Sequence, residues 1–294
     1  MKKIYPIAFF VCILFLAFYV IFAYTGIIFK AETLEEPIGS ISGWCERVSS
    51  GIFREPMNAF SNIAFMVSGL FIFKILNSDN TSNENKFYGL NKISILYGIA
   101  VIFLGPGSML MHGTHTEWGG WADNLSMIMF IVFPWLYNLK EMGRWSENRF
   151  IYSYLFIVIA YAFARWFFGG RLGIGLDLFG LSIGLWIISE YLFRFWSPKA
   201  RWFSGLVGFI VAFIFGITPV EIFSDLGSYW WVSLFWLPAI FSSNKSRKVR
   251  KYNPWFFLGT VSFLFAYAIW LQGQPYSPSW FTDSWCNPDS FIQP

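Results

Sequence analysis

About nine stretches of this sequence are built almost wholly from Phe, Ile, Leu, Val, Trp and Ala. Each approaches the roughly 20 residues needed to cross the hydrocarbon of a bilayer. They run approximately Ile4–Phe29, Met57–Ile75, Ile93–Met111, Trp121–Tyr137, Phe150–Phe168, Ile174–Phe195, Trp202–Val220, Leu226–Phe241 and Pro254–Leu271. Backbone polar groups in hydrocarbon must be satisfied within their own segment, so runs of this length are expected to be helices. Only 13% of residues are charged and the mean hydropathy is +0.51, which excludes an ordinary water-soluble domain. The expected class is all-α, a polytopic transmembrane helical bundle.

Charge in the short loops sets an orientation, because Lys and Arg collect on the cytoplasmic side. With Lys2 and Lys3 inside, the other inside connections carry Lys86 with Lys92, Lys140 with Arg144 and Arg149, Arg194 with Lys199 and Arg201, and Lys245 through Lys251. The outside connections hold Glu32, Glu35, Glu36, Glu46, Glu55, Glu117, Glu221, Asp225, Asp283 and Asp289, with Arg47, Arg54 and Arg171 as exceptions. The +4 net charge therefore reflects cytoplasmic anchors, and nucleic acid is not an expected partner. Residues 1–30 read as an uncleaved N-terminal anchor helix, because the apolar run is longer than the 7 to 15 residues of a signal-peptide core.

Polar residues interrupt the apolar pattern most sharply at Gly105–Asp123, where Ser108, His112, His115, Glu117 and Asp123 lie between two apolar runs. Ionisable groups at membrane depth are costly and mark functional sites by default. Ser108 and His112 are four apart and share one helix face, and Asp123 opens the next helix at the same outer level. These residues permit a Ser-His-Asp relay, but their order and depth favour a metal. His112 would ligate zinc, whose bound water has a pKa near 7; Ser108 would donate to an oxyanion, and Asp123 would act as general base. The plainer alternative is that His112 and Asp123 satisfy each other at a helix junction. His112, His115 and Glu117 could also make an improvised metal site.

Asn58 and Asn62, with Ser61 beside them, share a helix face that should point toward the Ser108/His112 helix. Glu190 is expected to pair with Arg194 near the inner surface, and Arg165 and Asp177, both toward the outer side, to pair or to line a polar cavity. Cys12 reads as an apolar filler. Cys45 and Cys286 both fall in outside loops, where an oxidising compartment permits a disulfide if the loops approach.

Taken in order, Trp44-Cys45-Glu46, Glu55-Pro56-x-Asn58-x-x-Ser61-Asn62, Gly107-Ser108-x-x-x-His112-x-Thr114, Asp123 and Asp283-x-x-Cys286 resemble the alkaline ceramidase family and its wider superfamily of membrane hydrolases. The resemblance runs from about Trp44 to the end, within a ceramidase-like transmembrane domain read as residues 31–294. It implies a seven-helix core plus extra helices, enclosing zinc and hydrolysing the amide of a ceramide-type lipid to a sphingoid base and a fatty acid. By the same resemblance His112 is a zinc ligand, Ser108 the polar group beside it and Asp123 the proton-handling acid. Glu46 and Glu55 match carboxylates of a calcium site, and Cys45 and Cys286 match cysteines that pair. Gly43 and Val48 replace oxygen donors of the calcium pattern, and calcium needs six to eight oxygens. The family's last helix opens with two zinc-ligand histidines four apart, whereas this sequence stops at Ile292-Gln293-Pro294; it is expected to be a piece of a longer protein, the alternative being a degenerate member without the family's metal.

Three functions remain in view. The first is a zinc-dependent amidase working from the extracytoplasmic side on a lipid substrate. A non-catalytic lipid-binding or receptor-like protein of the same fold is the alternative. A transporter is weakened because the membrane-depth charges gather at one surface.

Overall fold

The computed structural model describes residues 4–29, 37–78, 89–214, 217–247, 250, 254–273 and 285–290. Lys2, Lys3, Glu32, Glu35, Glu36, Lys86, Lys248, Lys251, Asp283 and Ile292-Gln293-Pro294 lie outside them. The described residues contain no strand, only an isolated bridge between Ile41 and Arg47. The helices are α1 (Ile4–Tyr24), α2 (Pro56–Ser61), α3 (Ile63–Ser78), α4 (Lys92–Thr114), α5 (Glu117–Gly143), α6 (Glu147–Phe168), α7 (Leu178–Phe195), α8 (Pro198–Phe203), α9 (Gly205–Ile214), α10 (Pro219–Ser224), α11 (Leu237–Phe241) and α12 (Trp255–Gly273). They fall into two compact units, Met1–Asn124 with Arg250–Pro294, and Leu125–Val249.

Among the described residues five helical stretches are long and apolar enough to cross a membrane: α1, α2 with α3, α4, α6 and α7. This is an all-α polytopic membrane protein. The other expected spans are met by helices that are shorter, broken or more polar. Trp121–Tyr137 lies within α5, which also carries Asn124, Asn138, Lys140 and Glu141. Trp202–Val220 is not one helix. It is split where the Ser204 hydroxyl turns back onto the Arg201 carbonyl, and it restarts at Pro219 behind the capping box of Thr218 and Glu221. Leu226–Phe241 is mostly a 3-10 helix, Trp230–Trp236, followed by α11.

In the first unit α3 and α4 meet along a glycine seam. A Cβ on Gly98 would stand 2.5 Å from Phe73, one on Gly69 would stand 2.3 Å from Ile102, and one on Gly105 would stand 2.8 Å from the Asn62 carbonyl. Membrane helices lack a hydrophobic force between them, so small residues that allow close approach supply the contact. α1 is packed into this unit: Tyr19 stacks on Phe53 at 4.7 Å and donates to the Ile52 carbonyl at 3.0 Å. A Cβ on Gly113, near the end of α4, would collide with the Tyr19 hydroxyl at 2.2 Å.

The segment 37–55 is held from outside by residues 285–290. Cys45 and Cys286 form a disulfide with Cα atoms 5.5 Å apart. Arg47 makes a two-pronged ion pair with Asp289 at 2.6 and 2.8 Å, and its backbone N–H donates to the Pro288 carbonyl.

In the second unit, Asn138 of α5 donates to Ser189 at 3.0 Å and to Glu190 at 2.9 Å, giving the membrane-depth carboxylate of α7 a neutral partner. Asp177 caps α7 by accepting from the Gly180 N–H at 3.0 Å. Gly205 and Gly208 of α9 lie against Trp236 and Phe235, where a Cβ would stand within 2.3 Å. This tight aromatic seating accompanies the short, broken helices of the region.

The clamp on residues 37–55 gives a test. Replacing Cys45 and Cys286 together by serine is expected to cost about 2–4 kcal/mol, the usual range for a native disulfide. A thermal melt of detergent-purified protein, with and without reductant, reads it; a melting point indifferent to both would show that the clamp adds nothing.

Candidate active site

The site is built where the chain leaving residues 37–53 meets the C-terminal end of α4. The last carbonyls of a helix have no partner within it. Here the Arg54 N–H donates to the Gly113 carbonyl and the Glu55 N–H to the His112 carbonyl, both at 2.9 Å. Those two bonds lock the Glu55 backbone against the residue that carries the key imidazole. Pro56 follows at the first position of α2, which needs no backbone donor there.

Glu55 is fully buried, and its carboxylate is surrounded by donors. His112 Nδ1 bonds to Oε2 in a short contact, and Asn58 Nδ2 donates to the same oxygen at 3.1 Å. His115 Nε2 stands 3.0 Å from Oε1, bent away from good hydrogen-bond alignment. The Ser42 side chain adds a further hydrogen bond. Burial pushes the Glu55 carboxyl up, but His112, His115 and Ser42 outweigh it and hold the group below the usual carboxylate range. Glu55 is therefore ionised, and an ionised carboxylate can only accept. The His112 nitrogen that faces this carboxylate is Nδ1, so Nε2 is the ring nitrogen turned away from it.

Trp44 sets its ring edge-on to the His112 imidazole, with centroids 5.1 Å apart. One turn earlier on α4, the Ser108 hydroxyl is hydrogen-bonded to Asp123 of α5, and the Asp123 carboxylate also interacts electrostatically with His112. Ser108, His112 and Asp123 are all half-buried. The expected trio thus stands together at one end of the first unit. Asn62 is buried at the junction of α2 and α3 and donates to the Asn58 carbonyl at 2.7 Å, while its own carbonyl packs against Gly105 of α4. The backbone at Asn62 thus lies against α4, while its side-chain amide is spent on Asn58 within the same helical segment.

His115 was the residue least legible in advance. It lies at the C-cap of α4 in the left-handed region (φ 51°), is 3% exposed, and its ring goes to Glu55, not to Glu117, which is exposed at the start of α5. The improvised His112–His115–Glu117 arrangement therefore gives way to one centred on Glu55. Glu55 lies some sixty residues earlier in the chain, and no local spacing announces that contact.

Glu46 spends its two oxygens on the N-terminus of α2, accepting from the N–H groups of Met57 at 2.7 Å and Asn58 at 2.9 Å. Burial raises the Glu46 carboxyl, and those two N–H bonds pull against the rise. Glu46 and Glu55 are both engaged by nitrogen donors, and Gly43 and Val48 bring no side-chain oxygen, so these residues are a poor match to the six to eight oxygens that calcium takes. Zinc is a different case. A metal-binding imidazole ordinarily gives its second nitrogen to a carboxylate, which is the His112–Glu55 arrangement. His112 Nε2 is the one nitrogen here in the position such a ligand atom would take, and no group of three or more His, Cys, Asp or Glu that could hold a metal is found among the described residues.

A family model described as Ceramidase matches residues 36–284. No curated protein and no solved structure matches the chain. The capping role of Glu46 is testable. Glu46→Ala removes the acceptor for two partly buried N–H groups and is expected to cost about 1–2 kcal/mol, as loss of a helix cap does. Glu46→Gln keeps one acceptor oxygen and should cost less. Equal melting temperatures for all three proteins would remove that role.

Proposed function

Since the chain belongs to the ceramidase family, we propose that this membrane protein is a zinc-dependent amidohydrolase that cleaves a ceramide-type lipid into a sphingoid base and a fatty acid. The observation that carries the reading is the grouping of Ser108 and Asp123 beside an imidazole whose Nδ1 is held by buried Glu55. Zinc, when bound, supplies Lewis-acid polarisation of the scissile carbonyl and of water. His112 would hold it through Nε2, and Glu55 and Trp44 pack against the His112 ring so that it keeps this orientation.

The chain's own residues then account for the proton transfers. Asp123 accepts the proton of the attacking water as its oxygen adds to the amide carbon. Ser108, which has Asp123 as its resting partner, donates to the carbonyl oxygen as charge develops there. Asp123 returns the proton to the nitrogen as the carbon–nitrogen bond breaks, so an amide and water become an acid and an amine. The site is assigned to the extracytoplasmic side. Acidic loop residues and the Cys45–Cys286 disulfide, which needs an oxidising compartment, both support that side.

A second reading, a non-catalytic lipid-binding or receptor-like protein, draws on the absence of a three-ligand metal group among the described residues. One assay separates the two. Purified protein in lipid–detergent micelles containing ceramide should release sphingoid base. His112→Ala and Asp123→Asn should abolish release while leaving expression near normal, and Ser108→Ala should lower it on the order of a hundredfold, the loss of one oxyanion donor. Wild-type protein that binds ceramide but releases nothing would establish the second reading.

Metal analysis adds an independent check. About one zinc per chain is expected, and chelation should stop turnover until zinc is restored. Turnover by zinc-free protein would end the metal assignment.

A further inference from the structure

Glu55 receives two imidazoles, but only one of them lies beside Ser108 and Asp123. The other, His115, follows the last turn of α4 as its C-cap. A helix C-cap in the left-handed region is ordinarily glycine or asparagine, because other residues crowd their own backbone there. His115 accepts that conformation (φ 51°, ψ 39°) and buries its ring to 3% exposure. Its neighbours seal the position: Thr114 and Thr116, both fully buried, share a 2.6 Å hydroxyl–hydroxyl bond. The result is an imidazole set against Glu55 Oε1 while His112 takes Oε2.

A carboxylate held through one oxygen can swing about its own side chain, whereas one contacted on both oxygens cannot do so without breaking a contact. We propose that His115 is a positioning residue for the active site: by engaging Glu55 Oε1 it fixes the carboxylate that orients His112, and so keeps His112 Nε2 free for a metal. The proposal rests on the reading of His112 as the metal ligand. It adds a residue that never touches substrate or metal and acts through Glu55.

The chain contains only two histidines, which makes the test clean. Protein labelled with 15N-histidine, and purified through a histidine-free tag, gives two imidazoles; any substitution at 115 leaves His112 alone in the spectrum. His115→Gly suits the left-handed backbone and removes the ring, so the α4 cap survives. His115→Gln keeps an N–H that can reach Glu55.

In wild-type protein, apo and folded by thermal melt, His112 should show the Nδ1–H tautomer. His115→Gly should convert it to a tautomer mixture and weaken zinc binding by about 10- to 100-fold, the usual cost of losing an outer partner of a ligand. His115→Gln should return both readouts toward wild type. A His115→Gly protein with the His112 spectrum and zinc affinity both unchanged would overturn the proposal. Wild-type protein that binds no zinc would end the metal reading alone, and the tautomer comparison would still decide whether His115 positions His112.

Discussion

Two backbone hydrogen bonds carry the architecture of the active site. The N–H groups of Arg54 and Glu55 close on the otherwise unsatisfied carbonyls at the end of α4, and this fixes where the buried Glu55 carboxylate can reach. With that backbone pinned, one side chain of ordinary length meets His112, His115, Asn58 and Ser42 together. A helix end in a membrane protein must find partners for its carbonyls, and here the partners are supplied by the segment that also provides the acid.

The surroundings reinforce that junction from three sides. Glu46 neutralises the start of α2 and so fixes the direction in which Asn58 and Asn62 leave. Tyr19 fills the space that Gly113 leaves empty beside the end of α4. The glycine seam between α3 and α4 brings Asn62 against Gly105, one turn from Ser108. Because α1 lies outside the family-matched residues yet packs on residues 52–53, its contact with the site end of α4 is a contribution beyond the shared family segment.

Much of this was legible in the sequence, and for identifiable reasons. Apolar runs report helices well because hydrocarbon leaves the backbone no alternative. Five long helices follow, and the runs that broke did so at a serine, a proline and aromatic–glycine contacts that hydropathy does not register. Ser108, His112 and Asp123 were readable because helical spacing and a short turn bring them together locally. Glu55 was visible only as a carboxylate matching a family motif, and its partners were not, since hydrogen bonds across the fold leave no periodic trace. His115 was hidden for the same reason: a left-handed cap is invisible until the backbone is seen.

The Cys45–Cys286 bond has a consequence for how the protein is made. Its two halves are 241 residues apart. The segment bearing Trp44 and Glu46 is made early in synthesis, yet its covalent fastening cannot close until the ribosome has delivered α12 and residue 286.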